Sequence, residues 1–278
     1  MVRQLEKSTH SFSERVLFCC RLGHNTLTAM QTSLIIREGW NGMGKRILVW
    51  LMLLLPLAWE SFDAAETAAV SGSAQLTQET YYIALTFDDG PRRETTERLL
   101  DGLRERGASA TFFLIGRQIP GNEDLVRRME AEGHQVGNHT WNHVTLSGDL
   151  TADLEELRRT DALLQNILGP GTYWIRPPYG LISEAERAAV QVPLVHWTVD
   201  PEDWAKLSPE AVVQAVLKDA GPNDIVLLHD FFSDSVDAAL EIVDLLQAKG
   251  YCFVTVEELL ALHGVTPQPG VMYREIPE

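Results

Sequence analysis

Two short segments of the chain combine residue types that bind divalent metal ions. Residues 86–91 read Thr-Phe-Asp-Asp-Gly-Pro and supply the adjacent carboxylates of Asp88 and Asp89. Residues 139–143 read His-Thr-Trp-Asn-His and supply the imidazoles of His139 and His143. Neutral imidazole and carboxylate are the usual ligands of a catalytic zinc ion, which keeps one coordination position open for water. Together the two segments predict a metal site that can hydrolyse a substrate.

Each segment also has a simpler interpretation. Asp-Asp-Gly is a common turn, and two histidines four residues apart lie on one helix face or flank a tight loop. The residues that precede them favour the metal site. Residues 81–87 are almost continuously apolar or aromatic and predict a buried strand, and residues 134–138 predict a second, shorter one. Both segments therefore follow the C-terminal end of a strand, where chemistry gathers in parallel α/β proteins.

Three more apolar runs end in polar residues that can do acid–base chemistry. Residues 173–175 lead into Arg-Pro-Pro-Tyr-Gly, residues 195–199 into Asp-Pro-Glu-Asp-Trp, and residues 225–228 into His229 and Asp230. Taken singly, Arg176 is an ordinary surface residue, whereas Trp204 and His229 are equally compatible with the core. We expect His134 and His196 to be structural, because one opens a predicted strand and the other lies in the middle of one.

The five segments, in this order over roughly residues 80–264, resemble the polysaccharide deacetylases, the NodB-type domain of carbohydrate esterase family 4. No position that this family uses for catalysis is substituted. The resemblance implies an α/β fold, a distorted and incomplete (β/α)7 TIM-like barrel with a single catalytic domain. It also implies hydrolysis of acetyl groups on a glycan with the help of one bound metal ion.

The resemblance implies a role for each site residue. Asp89, His139 and His143 would be the metal ligands. Asp88 would be the general base, paired with Arg176.

On the other side of the substrate, His229 would be the general acid, with a pKa raised by Asp203. The backbone N–H of Tyr179 would stabilise the oxyanion, Leu227 would line a pocket for the acetyl methyl, and Trp204 would form a wall beside the sugar. Two imidazoles and one carboxylate suit zinc, and also cobalt, nickel or iron(II).

Hydrophobic periodicity predicts helices that alternate with the strands. We expect helices over residues 94–106, 122–132, 151–168, 183–190, 208–220, 235–249 and 256–262, and further strands over 110–115 and 251–254. Thr151 is the predicted N-cap of the longest helix, with Gly169 and Pro170 beyond its end. Ser208 is the predicted N-cap of another helix, which Pro209 begins.

The N-terminal region predicts export. Residues 47–59 are almost wholly apolar and follow Lys45 and Arg46, but thirteen residues are short for a membrane span. We expect a signal peptide or membrane anchor over residues 43–62, with translation starting near Met43 and residues 1–42 as a disordered upstream extension. A cytoplasmic tail before an uncleaved anchor is the alternative. Residues 63–79 predict a linker and residues 265–278 a flexible tail.

Charge and cysteine content restrict the partners. The formal net charge of −16 argues against nucleic acid, whose binding depends on neutralising phosphates. Of the three cysteines only Cys252 follows the apolar segment, so the exported domain has no disulfide, and we expect Cys252 to pack in the core. We expect a monomer that contacts a membrane only through its N-terminal apolar segment.

These observations predict an exported, metal-dependent deacetylase that acts on N-acetylglucosamine residues of a cell-surface polysaccharide. Peptidoglycan is the first choice, chitin or chitooligosaccharide the alternative, and acetylated xylan the third. A non-catalytic glycan-binding domain should have lost a ligand, the base or the acid, and all five groups are present. A cytoplasmic amidohydrolase would not need the basic and apolar N-terminal segment.

Overall fold

The computed structural model describes residues 80–205 and 207–276, all of which belong to one compact unit. The predicted upstream extension, signal or anchor segment and linker lie outside the described residues. Within the described ranges, none of the helices is both long enough and apolar enough to cross a membrane.

Strands and helices alternate along the chain. The strands are β1 Tyr81–Asp88, β2 Thr111–Leu114, β3 Gln135–Asn138, β4 Leu194–Val195, β5 Ile225–His229, β6 Tyr251–Phe253 and β7 Met272–Tyr273. The helices are α1 Arg93–Glu105, α2 Glu123–Ala131, α3 Leu150–Leu168, α4 Glu184–Ala189, α5 Pro209–Asp219, α6 Ser233–Gln247 and α7 Val256–Leu262. Short 3₁₀ turns cover Gly116–Gln118, Pro178–Gly180 and Asp203–Ala205.

All strand pairs are parallel. The main sheet has the order β3-β2-β1-β5, with β6 pairing the first half of β1, and β4 pairs β7 separately. Single parallel bridges continue the wall from Asn138 through Ile175 to Leu194, and from Val199 to Val226. Because every strand points the same way, the C-terminal ends of all of them meet at one edge.

Side chains on the two faces of the sheet pack into different clusters. Phe87 and Phe112 stack with ring centroids 5.3 Å apart and belong to the cluster that α1 and α6 cover. Phe113, the next residue of β2, belongs to a second cluster with Trp174 and Val195. This alternation follows from the two-residue period of a strand. Strands that are apolar on both faces are typical of a parallel sheet that is covered on both sides.

The predicted elements are largely confirmed, with shifts at their ends. Residues 256–262 form α7 as predicted, and Ser208 caps α5 by accepting a hydrogen bond from the Ala211 backbone N–H. The prediction that Thr151 caps the longest helix is wrong. Asp149 is the N-cap, because its carboxylate accepts from the backbone N–H groups of Thr151 and Ala152.

Two predicted strands are shorter than expected. Of residues 173–175 only Ile175 makes bridges. Pro177 and Pro178 have no N–H, so the ladder does not extend beyond Arg176. β4 ends at Val195, so the prediction that His196 lies mid-strand is wrong. His134 is buried and accepts a hydrogen bond from the Ala110 backbone N–H, which confirms its structural role.

The segment predicted to be a flexible tail contains ordered structure. Met272 and Tyr273 form β7, which pairs with β4, and Tyr273 is buried. The Tyr273 hydroxyl accepts a hydrogen bond from the Gln268 backbone N–H at 3.0 Å. The prediction of flexibility is therefore corrected for these residues, which add a parallel strand to the wall. Cys252 is buried in β6, as expected.

Candidate metal centre and acid–base site

Three predicted metal ligands come together at the C-terminal edge of the strands. The ligand atoms of Asp89, His139 and His143 all lie within 4.8 Å of one another. Asp89 Oδ1 lies 3.6 Å from His139 Nε2 and 3.3 Å from His143 Nε2. The three residues that the sequence predicts as metal ligands therefore lie close enough together to bind one ion.

Local backbone conformation explains this convergence. Asp89 directly follows β1 with a φ of 73°, a left-handed conformation that Asp tolerates better than most residues. The two histidines flank a tight loop rather than sharing a helix face, since Thr140 and His143 have φ values of 63° and 62°. Asn138 Oδ1 accepts from the Thr140 backbone N–H at 2.9 Å and holds the start of that loop.

The chemistry of the three residues fits a divalent cation. Asp89 Oδ1 is buried and has no hydrogen-bond partner among the described residues. His139 Nδ1 lies 2.6 Å from the Arg176 carbonyl oxygen, so Nδ1 carries the proton and Nε2 presents its lone pair to the site. Burial, and secondly the neighbouring His139, lower the pKa of His143, which favours the neutral imidazole that a metal needs. A buried acceptor beside two imidazoles is the environment that a bound cation completes.

Asp88 and Arg176 form a buried ion pair beside the metal ligands. Arg176 Nη1 donates to Asp88 Oδ1 at 2.9 Å, and the other carboxylate oxygen lies 3.6 Å from His139 Nε2. The guanidinium also donates to Thr86 Oγ1 and to the His196 carbonyl oxygen, and it stacks on the Phe113 ring at 4.3 Å. Arg176 is fully buried, so the interpretation of it as a surface residue is wrong.

We expect Arg176→Met to lower the free energy of unfolding by about 3–5 kcal/mol, because it leaves the Asp88 carboxylate buried without its charged partner. Urea unfolding with a chelator present measures the loss without any contribution from bound metal.

Arg158→Met is the matched control, since Arg158 pairs with Glu155 on the exposed surface of α3. We expect this control to cost less than about 1 kcal/mol. Equal losses in the two variants would show that the buried pair does not stabilise the fold.

His229 and Asp203 form a second acid–base pair across the site. Asp203 Oδ1 lies 2.7 Å from His229 Nδ1, and Asp203 Oδ2 accepts from the His229 backbone N–H at 2.8 Å. Burial by itself lowers the pKa of His229, but the hydrogen bond and the charge of Asp203, together with the more distant Asp88 and Asp89, raise it to about 9. His229 is therefore protonated at neutral pH. It stands opposite Asp88 in the β1–β5 register.

The three predicted substrate-binding residues lie at different depths. Tyr179 is 64% exposed, and its ring contacts the His143 ring with centroids 4.8 Å apart. Trp204 is 52% exposed on the turn that also carries Asp203, so the interpretation of it as a core residue is wrong. Leu227 is buried in β5, two residues before His229. Tyr179 and Trp204 are the exposed aromatic surfaces next to the metal ligands and the acid pair.

Reasoning from the sequence missed the contact between Asp230 and Gly90. Asp230 is fully buried, which raises the pKa of its carboxyl to about 7, and it accepts a hydrogen bond from the Thr96 hydroxyl. A Cβ added to Gly90 would lie 2.5 Å from Asp230 Oδ1, so only glycine fits beside it. The residue after His229 therefore packs under the Asp89–Gly90 turn. The only sign of this contact in the sequence is that Asp230 is an acidic residue at the end of an apolar run.

Comparison with known proteins identifies relatives of this chain. The polysaccharide deacetylase family matches residues 75–192. The peptidoglycan-N-acetylmuramic acid deacetylase PdaC of Bacillus subtilis is 38% identical over 178 residues, which cover 64% of this chain and 38% of PdaC. A peptidoglycan-N-acetylglucosamine deacetylase of Bacillus cereus is 40% identical, with 64% of this chain and 87% of that protein covered. A chitooligosaccharide deacetylase of Sinorhizobium fredii is 40% identical, with 53% and 71% covered.

Solved structures show the same fold. The structure of PdaC has a TM-score of 0.65 at 36% identity and covers 67% of this chain and 93% of that one. A family 4 acetyl xylan esterase from Clostridium thermocellum, in complex with a cobalt ion, has a TM-score of 0.67 at 31% identity and covers 71% and 100%. These likenesses confirm the predicted barrel.

The chain spans less than half the length of PdaC and of the peptidoglycan-N-acetylglucosamine deacetylase PgdA of Listeria monocytogenes, 38% and 41% respectively. It covers most of the Bacillus cereus relative, however, at 40% identity. This identity and coverage, together with the shared fold, show that the chain belongs to the polysaccharide deacetylase family.

Proposed function

We propose that this protein is a metal-dependent hydrolase that removes acetyl groups from N-acetylglucosamine residues of peptidoglycan. The observation that carries the proposal is the position of Asp88. Its carboxylate lies between the Arg176 guanidinium and His139 Nε2, beside the other two candidate metal ligands. It pairs in register with His229, whose pKa is raised to about 9. A base, an acid and a cation site at one edge of the sheet are the groups that metal-assisted amide hydrolysis uses.

We assign the metal site the role of activating the amide and the water. Asp89, His139 and His143 would hold one divalent ion, whose positive charge would polarise the amide carbonyl and lower the pKa of water. Zinc is the proposed ion, and cobalt, nickel and iron(II) accept the same ligands.

The first half of the reaction belongs to Asp88. The carboxylate accepts a proton from the attacking water, while the oxygen of that water bonds to the acetyl carbon. Arg176 restricts the carboxylate to one orientation through its hydrogen bonds to Asp88 and Thr86. The backbone N–H of Tyr179 donates to the oxygen that gains negative charge.

The second half belongs to His229. Its imidazolium donates a proton to the sugar nitrogen as the C–N bond breaks, which releases acetate and leaves a free amine. Asp203 holds Nδ1 through a 2.7 Å contact, so that Nε2 is the nitrogen that delivers the proton. Leu227 lines the space for the acetyl methyl, and Trp204 lies against the sugar ring.

Substrate and location are proposed from the relatives and from the N-terminal segment. The relatives named as peptidoglycan deacetylases support peptidoglycan as the substrate and the cell wall as the location. The Sinorhizobium fredii relative supports chitooligosaccharide as the alternative substrate. Acetylated xylan comes third, supported by the Clostridium thermocellum esterase. We propose a monomer whose catalytic domain begins near residue 80 and includes β7. We propose that a signal or anchor at residues 43–62 exports it, and that residues 63–79 form the linker between the two.

Acetate release from three glycans tests the proposal. Purified protein is incubated with peptidoglycan, with chitooligosaccharide and with acetylated xylan, and acetate is measured over time. We expect acetate from peptidoglycan with the highest kcat/KM of the three. A higher kcat/KM on either of the other glycans would assign the protein to that substrate. No acetate from any of them would favour a glycan-binding domain without catalysis.

A further inference from the structure

A second polar cleft lies beside the proposed catalytic site. It has a volume of about 480 Å³, within the range of small-ligand sites, and its lining includes Gly180, Glu184, Arg187, His196, Met272 and Arg274. We call this set the arginine cleft. Part of the cleft is formed by β7, which follows the family motifs in the chain. None of the side chains that line the cleft takes part in the proposed reaction.

The arginine cleft opens at the catalytic edge of the barrel. His196 follows the C-terminal end of β4, and Arg274 follows the C-terminal end of β7, which is parallel to β4. Asp88 and His229 lie at the corresponding C-terminal ends of β1 and β5. In barrels of this type, substrates bind at that edge.

Direct contacts link the cleft to the metal ligands. The Tyr179 ring contacts the His143 ring, and the next residue, Gly180, lies so close to His196 that an added Cβ would be 2.5 Å from its Nε2. The His196 carbonyl oxygen accepts from Arg176, the partner of Asp88. A glycan whose acetamido group lies at the metal ligands would therefore have a neighbouring sugar near the cleft.

The cleft carries an excess of positive charge in an acidic protein. Arg187 and Arg274 line it together with one acidic residue, Glu184, and among the described residues neither arginine forms an ion pair. His196 Nδ1 lies 3.3 Å from the Trp197 carbonyl oxygen, which places the proton on Nδ1, and Nε2 accepts from Arg274 Nη2 at 3.3 Å. Burial lowers the pKa of His196, which is consistent with this arrangement. Two guanidinium groups that have no carboxylate partner in the described part of the chain match a carboxylate ligand.

We propose that the arginine cleft binds a carboxylate that the glycan substrate carries on the sugar next to the one that is deacetylated. The proposal rests on the proposed function and specifies its substrate. Peptidoglycan bears such carboxylates on its peptide substituents, and on its lactyl ether where the peptide has been removed, whereas chitin bears none. Arg274 and Arg187 would then be specificity-determining residues that favour an acidic glycan over a neutral one.

A matched pair of ligands tests this inference. One is a peptidoglycan glycan fragment with free carboxylates, and the other is the same fragment with its carboxylates converted to primary amides. Calorimetry gives Kd for both, and acetate release gives KM and kcat. We expect the unmodified fragment to bind about tenfold more tightly, since hydrogen bonds to a charged group are worth about one factor of ten or more. Raising the salt concentration should reduce the difference.

Arg274→Gln and Arg187→Gln should each weaken binding of the carboxylate fragment several-fold and leave Kd for the amide fragment unchanged. Lys218→Gln is the control, because it removes one positive charge from the exposed surface of α5. Equal binding of the two fragments to the unmodified protein would overturn the inference, and so would an Arg274→Gln loss of the same size for both. Discrimination in Kd without any acetate release would uphold the cleft and contradict the deacetylase.

Discussion

Asp88→Asn is expected to reduce kcat by about a thousandfold, within the range that a positioned general base contributes. The amide keeps the shape of the carboxylate but cannot accept a proton from water at neutral pH. Arg176 still finds one oxygen acceptor at this position, where it now donates to Asp88 Oδ1 at 2.9 Å. Asp88 is not one of the three grouped metal ligands, so metal content should stay equal to that of the unmodified protein.

The measurement is acetate release under saturating substrate, with metal content determined on the same sample. Asp219→Asn is the matched control, because it makes the same chemical change on an exposed aspartate that pairs with Lys218. We expect this control to behave like the unmodified protein. Activity in Asp88→Asn within a few-fold of normal would remove Asp88 from the role of base.

His139→Ala is expected to lose metal and activity together. His139 is buried, and its Nε2 faces both Asp88 and Asp89 at 3.6 Å, so no water-exposed side chain can replace it from outside. Loss of an outer-shell partner already costs about 10–100-fold in metal affinity, and loss of a direct ligand should cost more. Dialysis against a defined zinc concentration, followed by elemental analysis and acetate release, measures both effects.

His263→Ala is the control for this second change. His263 is exposed and contacts Asn223, at the end of α7. Removal of its imidazole should leave zinc content and turnover at the level of the unmodified protein. If His139→Ala kept one zinc per chain, the ligand set of Asp89, His139 and His143 would have to be replaced by another.

The positions of the proposed site residues were predictable because each follows an apolar run that is visible in the sequence. Asp88, His139 and His229 stand at the ends of strands that the sequence predicts, and parallel strands bring their ends to one edge. The resemblance then gave each group a role. The pairing of His229 with Asp203, at 2.7 Å, is a long-range contact that the resemblance implied and no local pattern contained.

Contacts that depend on short or isolated pairings were not predictable. β7 has two residues, which are too few to show the two-residue period of a strand. The sequence therefore predicts a flexible tail there and no role for Arg274. The apolar run continues past His196 and predicts a strand through it, whereas the pairing with β7 ends at Val195. Asp149 and Thr151 are both good N-cap residues, and only the backbone geometry decides between them.

Removal and return of the metal test the central claim most directly. The unmodified protein is stripped with a chelator, freed of it by dialysis, and assayed for acetate release from peptidoglycan before and after addition of one equivalent of zinc. We predict that turnover disappears with the metal and returns with it. In the stripped protein, Asp88 and His229 face an amide that no cation polarises. Full turnover by protein that elemental analysis shows to be free of metal would contradict a metal-dependent deacetylase.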